Sequence, residues 1–332
     1  MKIRVSDYIT DFFVRKKITH VFGITGGGAM HLNEAFGKNK NLDFIFFHHE
    51  QSASMAADAY FRKNNKPCVL QTTSGPGGTN AITGVSGAWI DSIPMFVVSG
   101  QVPKSDMIKK SKTRQIGVQE INIIDLVKPI TKFAKTLKEP DQIDLYLNEA
   151  FNLMNTDKPG PVWLDIPLDI QSKFINTNKI KKYKIKKKKF KKKINFNNLF
   201  HEIQKSSKPV IIIGNGIHIS KSEKEFENFY KKIKIPIISS WNSSDLVNDK
   251  DKLYVGRMGI FGDRASNFAA ENSDLMIILG SRLSIPQTGY KTKNFAKRSK
   301  KIIVDISSDE LEKKKLSNII LKYKEDLNIY LS

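Results

Sequence analysis

Short apolar runs alternate with helix-like stretches along the first 170 residues, and this rhythm limits the fold more than any other feature. The runs that predict strands are Val21–Phe22, Phe44–Phe47, Cys68–Thr72, Met95–Gly100 and Gly160–Pro167. The stretches between them, such as the Ala-rich residues 52–61, favour helices. Strands that alternate with helices form parallel sheets covered on both faces. The sequence therefore predicts a doubly wound α/β domain, and the run Phe44–Phe47 is expected to be one of its buried strands.

The second half of the chain has the same rhythm but shares no motif with the first. Its predicted strands are Pro209–Ile213, Ile235–Ser240, Leu275–Gly280 and Lys301–Ile306. The expected fold class is therefore α/β, with two doubly wound, mostly parallel-sheet domains joined by a Lys-rich linker. The expected boundaries are 1–172 for the first domain, 173–194 for the linker and 195–332 for the second domain.

Positive charge is concentrated between these domains. Residues 179–193 contain eleven lysines and no acid, which is half of the net charge of +22. The segment has no arginines for bidentate base contacts, so nucleic acid is not the expected partner. A solvated linker is the main interpretation, and weak contact with an acidic partner or polyanion is the alternative.

Composition further limits the class of protein to which the chain can belong. The 332 residues are 40% hydrophobic, which suits a globular protein with a core. No apolar run has the length of a membrane span, and the first residues lack a signal-peptide pattern. Cys68 is the only cysteine, so no internal disulfide can form. We expect a cytoplasmic protein in which Cys68 is a buried strand residue.

Two adjacent segments carry candidate chemistry. Glu50 opens a helix after one predicted strand, and the turn Ser74–Asn80 follows the next strand. Both are therefore expected at the ends of neighbouring strands, at the ligand-binding edge of the sheet. Gly75 and Gly77 would let backbone approach a ligand closely, while Pro76 stiffens the turn. A glutamate here can be only a favourable charge at a helix start. In a dry pocket it can instead share a proton with a ring nitrogen of a ligand.

Five blocks in order extend these signals over most of the chain. They are VFGITGGGAM (21–30), HHEQSASMAADAYFR (48–62), the run from TSGPGGTN to VVSGQV (73–102), RQIGVQEINIIDLVKPITK (114–132) and GPVWLDIPLDIQ (160–171). Together they resemble the thiamin-diphosphate-dependent enzymes that include the acetolactate synthase large subunits. The resemblance covers the N-terminal pyrimidine-binding domain and the central domain of that family.

The resemblance implies roles for individual residues. Glu50 matches the glutamate that contacts pyrimidine N1′ of thiamin diphosphate and promotes proton removal from the thiazolium ring, and Gln119 matches a glutamine near the reacting carbons. The cofactor-binding positions implied are Gly26, Gly27, Ser74, Gly75, Pro76, Gly77 and Asn80. The implied reaction is decarboxylation of a 2-keto acid followed by ligation, and decarboxylation without ligation stays open. Val118 stands where the acetolactate synthase pattern has Phe, so the acceptor pocket is expected to differ.

In acetolactate synthases the central domain holds a flavin. The positions here that match its nucleotide contacts are Gly214, Gly259, Gly262, Gly280, Ser281, Arg282 and Asp305. Residues 283–286 depart from the family pattern. A bound FAD and an empty, structural domain therefore both stay open.

The resemblance also implies a third domain in which a Gly-Asp-Gly sequence and a downstream Asn bind magnesium and the diphosphate. These 332 residues contain no such pattern, and their six histidines form no metal-ligand set. The expectation is one chain of a split or truncated carboligase, inactive alone, in a homo- or hetero-oligomer whose partner supplies that domain and the magnesium. The alternatives are a non-catalytic scaffold and a polyanion-binding protein that uses the Lys-rich segment.

Overall fold

The computed structural model describes residues 2–108, 113–183, 196–313 and 316–332, without the side chain of residue 313. The chain divides into two compact units, residues 1–187 and 188–332. Residues 184–195, which include the second half of the predicted linker, lie outside the described residues. Within the described part, no helix combines the length and the apolar character that crossing a membrane requires.

The first unit has eight strands and seven α-helices among its described residues. The strands are β1 (Lys2–Arg4), β2 (His20–Gly23), β3 (Asp43–Phe46), β4 (Val69–Thr72), β5 (Phe96–Gln101), β6 (Phe133–Thr136), β7 (Val162–Pro167) and β8 (Phe174–Asn176). The helices are α1 (Val5–Arg15), α2 (Met30–Lys38), α3 (Glu50–Asn64), α4 (Pro76–Asp91), α5 (Ile123–Val127), α6 (Ile143–Asn155) and α7 (Leu168–Gln171).

The second unit continues the alternation. Its strands are β9 (Pro209–Ile213), β10 (Ile237–Ser239), β11 (Tyr254–Arg257), β12 (Leu275–Leu279), β13 (Lys300–Asp305) and β14 (Ile319–Lys324). Its helices are α8 (Asn197–Lys205), α9 (Gly216–Ile219), α10 (Glu223–Ile233), α11 (Arg264–Asn272), α12 (Ile285–Thr288), α13 (Ser308–Lys313) and α14 (Leu327–Leu331).

Six parallel strands form the main sheet of the first unit, in the order β3-β2-β4-β5-β7-β6. The order reverses at β2, which pairs with both β3 and β4. Ligands of open α/β sheets bind beside such a reversal, at the carboxyl ends of the strands. The turn after β2 and the turn after β4 are therefore adjacent at this edge.

Two apolar layers cover this sheet. One contains Phe13 from α1 and Phe36 from α2, and the other contains Ala53 from α3 and Val85 from α4, all fully buried. Small residues on α3 and α4 let these two helices lie close to each other and to the sheet. The helix pair therefore has little freedom to shift, and it carries Glu50 at one end.

The structure corrects two expectations about β3. This strand is at the sheet edge, and Ile45 and Phe46 are 41% and 62% exposed, so it is not a buried strand. An edge strand has one neighbour and a less covered surface, which a purely apolar run does not disclose. In addition, β2 separates β3 from β4, so the strands before Glu50 and Ser74 are not neighbours. Packing of α3 on α4 brings the two segments together instead.

The amino-terminal strand has a partner that the sequence did not predict. Lys2–Arg4 pairs antiparallel with Phe174–Asn176, which were expected to belong to the linker. The Val5 N–H also donates to the Lys173 carbonyl at 2.9 Å. The first unit therefore includes part of the range 173–194.

The second unit contains a parallel sheet in the order β11-β10-β9-β12-β13-β14. Its order reverses between β9 and β12, as in dinucleotide-binding folds. The central strands β9 and β12 are almost entirely isoleucine, leucine, methionine and valine, and are buried on both faces. The predicted fold class, α/β with two mostly parallel sheets, is confirmed.

Candidate functional site

Glu50 is the first residue of α3 and is 8% exposed. His49 caps the helix, because its Nδ1 accepts the Gln51 N–H at 3.1 Å. The Asn80 side chain on α4 donates from Nδ2 to Glu50 Oε2 at 3.0 Å. One carboxylate oxygen is thus held by an amide, and the position at the helix start favours its negative charge.

The other oxygen, Oε1, lies beside a glycine. A Cβ built on Gly77 would be 3.4 Å from Glu50 Oε1 and 2.8 Å from Thr73 Cγ2. Any side chain at residue 77 would therefore crowd the carboxylate. The close approach of the helices continues at Gly84, where a Cβ would lie only 2.2 Å from Ser54 Oγ. Glycine and serine at this contact explain why α3 and α4 fit so tightly.

The turn before α4 requires glycine for two reasons. Gly75 has φ +61° and ψ −120°, in a region that other residues rarely adopt. A Cβ on Gly75 would also lie 2.1 Å from the Gln119 carbonyl oxygen. Pro76 occupies the first helical position, where its missing N–H is harmless. The turn thus contacts the exposed loop that carries Gln119.

The first glycine turn packs against the same segment. A Cβ on Gly26 would lie 2.4 Å from Thr73 Cβ, and one on Gly28 would lie 2.6 Å from Ser74 Oγ. Gly27 has open space around its Cβ position. The structure therefore brings together all nine residues assigned to the first-unit site, in three converging segments: 26–28, 73–80 with Glu50, and Gln119.

Two site residues were missed from the sequence. The hydroxyl oxygens of Thr72 and Thr73 are buried and have no hydrogen-bond partner among the described residues. Both lie at the carboxyl end of β4, and Thr73 packs against the Gly26 turn. Their position directly before Ser74 is a signal that could have been used. They offer polar groups to a ligand at the sheet edge.

A buried network links the sheet to the loop of Gln119. Asp165 on β7 is 1% exposed and accepts hydrogen bonds from Ser99 Oγ at 2.6 Å and from Gln101 Nε2 at 3.2 Å. The same Gln101 nitrogen donates to the Ile121 carbonyl at 3.2 Å. Burial raises the pKa of Asp165 to about 6, against the opposing effect of these hydrogen bonds and one from Thr136.

The second-unit residues that match the family's nucleotide contacts lie at the ends of strands or in the turns that follow them. Gly214 follows β9 and Gly280 follows β12, and a Cβ on Gly214 would be 2.3 Å from the Gly280 carbonyl oxygen. Close backbone packing by itself therefore requires glycine at residue 214. Ser281 and Arg282 come next in the chain, and Asp305 ends the neighbouring strand β13, where its Oδ1 accepts the Ser307 N–H at 2.9 Å.

The remaining two glycines lie in the loop after β11. Gly259 has φ +106°, and a Cβ on Gly262 would be 2.3 Å from the Arg257 carbonyl oxygen. This loop reaches the segment after Arg282, because the Ile260 N–H donates to the Pro286 carbonyl at 2.9 Å. The seven positions are thus at one edge of the sheet, and a flavin there stays a prediction.

The cysteine and the metal-ligating side chains among the described residues do not indicate a second reactive site. Cys68 is buried as expected, but it lies directly before β4 and not within the strand, and burial raises the pKa of its thiol to about 12. Among the described residues, no group of three or more His, Cys, Asp or Glu side chains has the arrangement of a metal site.

Comparisons with known proteins agree with this architecture. Residues 3–125 match the thiamine pyrophosphate enzyme N-terminal TPP binding domain, and residues 196–325 match the thiamine pyrophosphate enzyme central domain. All first-unit site residues fall within the first match, and all seven second-unit positions fall within the second.

Individual relatives have the same two regions. An acetolactate synthase large subunit from Cyanidium caldarium is 30% identical over 323 residues, which is 94% of this chain and 54% of the relative. A probable acetolactate synthase large subunit from Methanocaldococcus jannaschii is 32% identical over 305 residues, covering 88% of this chain and 49% of the relative. The chain spans about half the length of the curated relatives it matches. On its two domains and their order, the chain belongs to the thiamine pyrophosphate enzyme family.

Proposed function

We propose that this chain forms the half of an acetolactate synthase-like enzyme that activates thiamin diphosphate for reaction with 2-keto acids. The observation that carries the proposal is the buried Glu50 carboxylate, fixed through Oε2 by Asn80 and facing bare backbone at Gly77 through Oε1. The names of the relatives support the acetolactate synthase-like reaction. Decarboxylation without ligation is the alternative outcome.

The residues present fit the aminopyrimidine half of the cofactor. A flat ring needs an opening without side chains, and Gly27 leaves such space at the sheet edge, while the missing side chain of Gly77 keeps the Glu50 carboxylate uncrowded. The buried, unpartnered hydroxyls of Thr72 and Thr73 lie at the same edge and can bond to ring substituents. When bound, thiamin diphosphate would supply the electron sink that 2-keto acid decarboxylation needs.

Each residue of the chain then has a physical task. Glu50 would hold a proton at a ring nitrogen, and Asn80 would keep the carboxylate pointed at that nitrogen. The adjacent glycine turns would let backbone approach the ring edge. Gln119 is exposed on the loop that contacts Gly75, so its amide is available to the reacting part of a substrate.

A further polypeptide segment is part of the proposal. The 332 residues contain no Gly-Asp-Gly sequence, and a diphosphate in a site of this kind is held through magnesium on carboxylate and carbonyl oxygens. We infer that a partner chain, or a segment outside these residues, supplies that group in a homo- or hetero-oligomer. Titration of the 332-residue chain alone with thiamin diphosphate and Mg²⁺ should therefore show no tight binding, and tight binding would contradict this part.

The test of Glu50 uses the chain combined with a polypeptide that carries the missing pattern. The rate of hydrogen–deuterium exchange at the reactive thiazolium carbon is measured by NMR for the native chain and for Glu50→Gln. Loss of proton transfer should slow exchange by about 10²–10⁴-fold. Circular dichroism should show an unchanged fold, because glutamine has the same shape and can still accept from Asn80.

The matched control is Glu149→Gln, which removes a half-buried carboxylate paired with Lys135 at 3.1 Å. With this variant, hydrogen–deuterium exchange at the thiazolium carbon should proceed at the native rate. If Glu50→Gln exchanges as fast as this control, the role assigned to Glu50 is wrong. If the native combination shows no exchange at all above free cofactor, the chain is a non-catalytic scaffold and the proposed function fails.

A further inference from the structure

The carboxylate of Glu120 ties together both arms of the loop between β5 and α5. Its Oε1 accepts the N–H of Ile108, on the arm that leaves β5. Its Oε2 accepts the N–H groups of Ile116 and Gly117, each at 3.3 Å, on the returning arm. Hydrogen bonds to a charged acceptor are stronger than neutral ones. One side chain therefore fixes three backbone amides, one that is 12 residues before Glu120 and two that are 4 and 3 residues before it.

The residue before Glu120 has an unfavourable backbone conformation. Gln119 has φ +56°, in the left-handed region that favours glycine. A turn closed by the Glu120 N–H and the Gly117 carbonyl, at 3.2 Å, places Gln119 at its third position. Glycine or asparagine is preferred at that position when φ is positive. A glutamine held there needs surrounding contacts that enforce the conformation.

The enforced conformation directs Gln119 at the site. Its carbonyl oxygen would be 2.1 Å from a Cβ on Gly75, so the loop backbone lies directly on the glycine turn. The Gln119 side chain remains exposed. If the turn relaxed, the carbonyl would leave Gly75 and the side chain would move with it.

We propose that Glu120 is a positioning residue, which holds Gln119 in the left-handed conformation against Gly75 and so sets the position of the Gln119 amide. The catalytic consequence rests on the proposed function, whereas the conformational consequence does not. Purely structural stabilisation of the unit is the competing explanation. The two explanations predict different effects of removing the carboxylate. A positioning role predicts loss of protection in the loop alone, and a structural role predicts loss of protection throughout the unit.

The first measurement is amide hydrogen exchange of the 332-residue chain. Glu120→Ala should raise exchange at Ile116 and Gly117 by about tenfold or more, since bonds to charged groups contribute a factor of that order. Amides of α6 should be unchanged. Glu120→Gln keeps one acceptor oxygen and should give an intermediate result. Glu149→Gln, on α6, is the control and should leave the loop amides at the native rate.

A second variant tests the backbone argument by rescue. Gln119→Gly removes the penalty of positive φ. In the Glu120→Ala background it should therefore slow exchange at the amide of residue 120, whose N–H closes the turn on the Gly117 carbonyl, back toward the native rate. Unchanged exchange at Ile116 and Gly117 in Glu120→Ala would overturn the proposal. So would a loss of protection spread over the whole unit, because that is the signature of a structural role.

The functional arm uses the chain combined with the polypeptide that supplies the diphosphate site. Glu120→Gln should lower kcat several-fold while KM and the thermal midpoint stay near native values. If Glu120→Gln loosens the loop but leaves kcat unchanged, Glu120 does not position Gln119 for catalysis. A combination in which the native chain is inactive would refute the proposed function alone, and the exchange data would still decide whether Glu120 holds the turn.

Discussion

Replacing Gly84 with alanine should separate helices α3 and α4 and disturb the Glu50 site from a distance. A Cβ at residue 84 would lie 2.2 Å from Ser54 Oγ and 2.8 Å from the Met55 backbone nitrogen. The Ser54 side chain can rotate, but the backbone nitrogen cannot. Ordinary contact is about 3.5 Å, so the helices must move apart by roughly 0.7 Å.

The expected magnitude follows from two opposing terms. Overpacking of a buried contact destabilises by about 1–3 kcal/mol. Alanine in place of glycine within a helix stabilises by about 0.5–1 kcal/mol. Gly87 lies on the same helix, and nothing is within 4 Å of its Cβ position. Gly87→Ala should therefore show the stabilising term alone, and the difference between the two variants isolates the packing term.

The separation should also reach the site. A rigid shift of roughly 0.7 Å would lengthen the Asn80–Glu50 bond from 3.0 Å to about 3.7 Å, beyond hydrogen-bond range. Gly84→Ala should then slow the exchange of the cofactor proton in the combined enzyme, whereas Gly87→Ala should not. Ser54→Gly removes two of the three close contacts and should restore part of the lost stability when combined with Gly84→Ala.

Urea unfolding followed by tryptophan fluorescence gives the free energies. The three tryptophans are Trp89 and Trp163 in the first unit and Trp241 in the second. In a Trp241→Phe background the signal reports the first unit only, which avoids treating a two-unit chain as one transition. Equal changes in stability for Gly84→Ala and Gly87→Ala would refute the close helix contact. Additive effects of Ser54→Gly and Gly84→Ala would refute it as well.

Two buried ionisable groups give further predictions from pH dependence. Asp165 has a pKa raised to about 6 by burial, so the folded state binds its proton more tightly than the unfolded state. Its contribution to stability is complete below pH ~4 and is lost as pH rises to about 6, and Asp165→Asn should remove that fall in urea titrations of the first unit. Lys301 is fully buried, with Nζ donating to the Ala296 and Ser299 carbonyls, and burial lowers its pKa to about 8. The second unit should gain stability between pH 8 and about 10.5, measured by exchange of β13 amides, and Lys301→Met should show no such gain; a gain that persists in that variant would rule out Lys301 as its source.

Some structural features follow from local sequence. The apolar runs of β9 and β12 predict buried parallel strands, and the glycine, proline and alanine pattern of residues 74–90 predicts a turn that opens a helix. These signals depend on near neighbours in the chain, so the α/β class and most strand positions could be predicted. The strands β1, β6, β8, β11 and β14 were missed. β1 and β8 are three residues each and pair with each other. β6 and β14 lie at sheet edges and mix lysines with apolar residues, and β11 is a short edge strand that contains Gly256.

The tertiary structure alone decided how the site is assembled. Sequence order placed Glu50 and Ser74 after successive strands, but β2 lies between those strands, and the Asn80–Glu50 bond exists because Gly84 lets α3 and α4 approach. Likewise, Glu120 next to Gln119 is unremarkable as sequence. Its bonds to Ile108 and Gly117 depend on two arms of a loop meeting in space. Contacts between residues distant in the chain are fixed by side-chain packing to within tenths of an ångström, and periodicity carries no information at that scale.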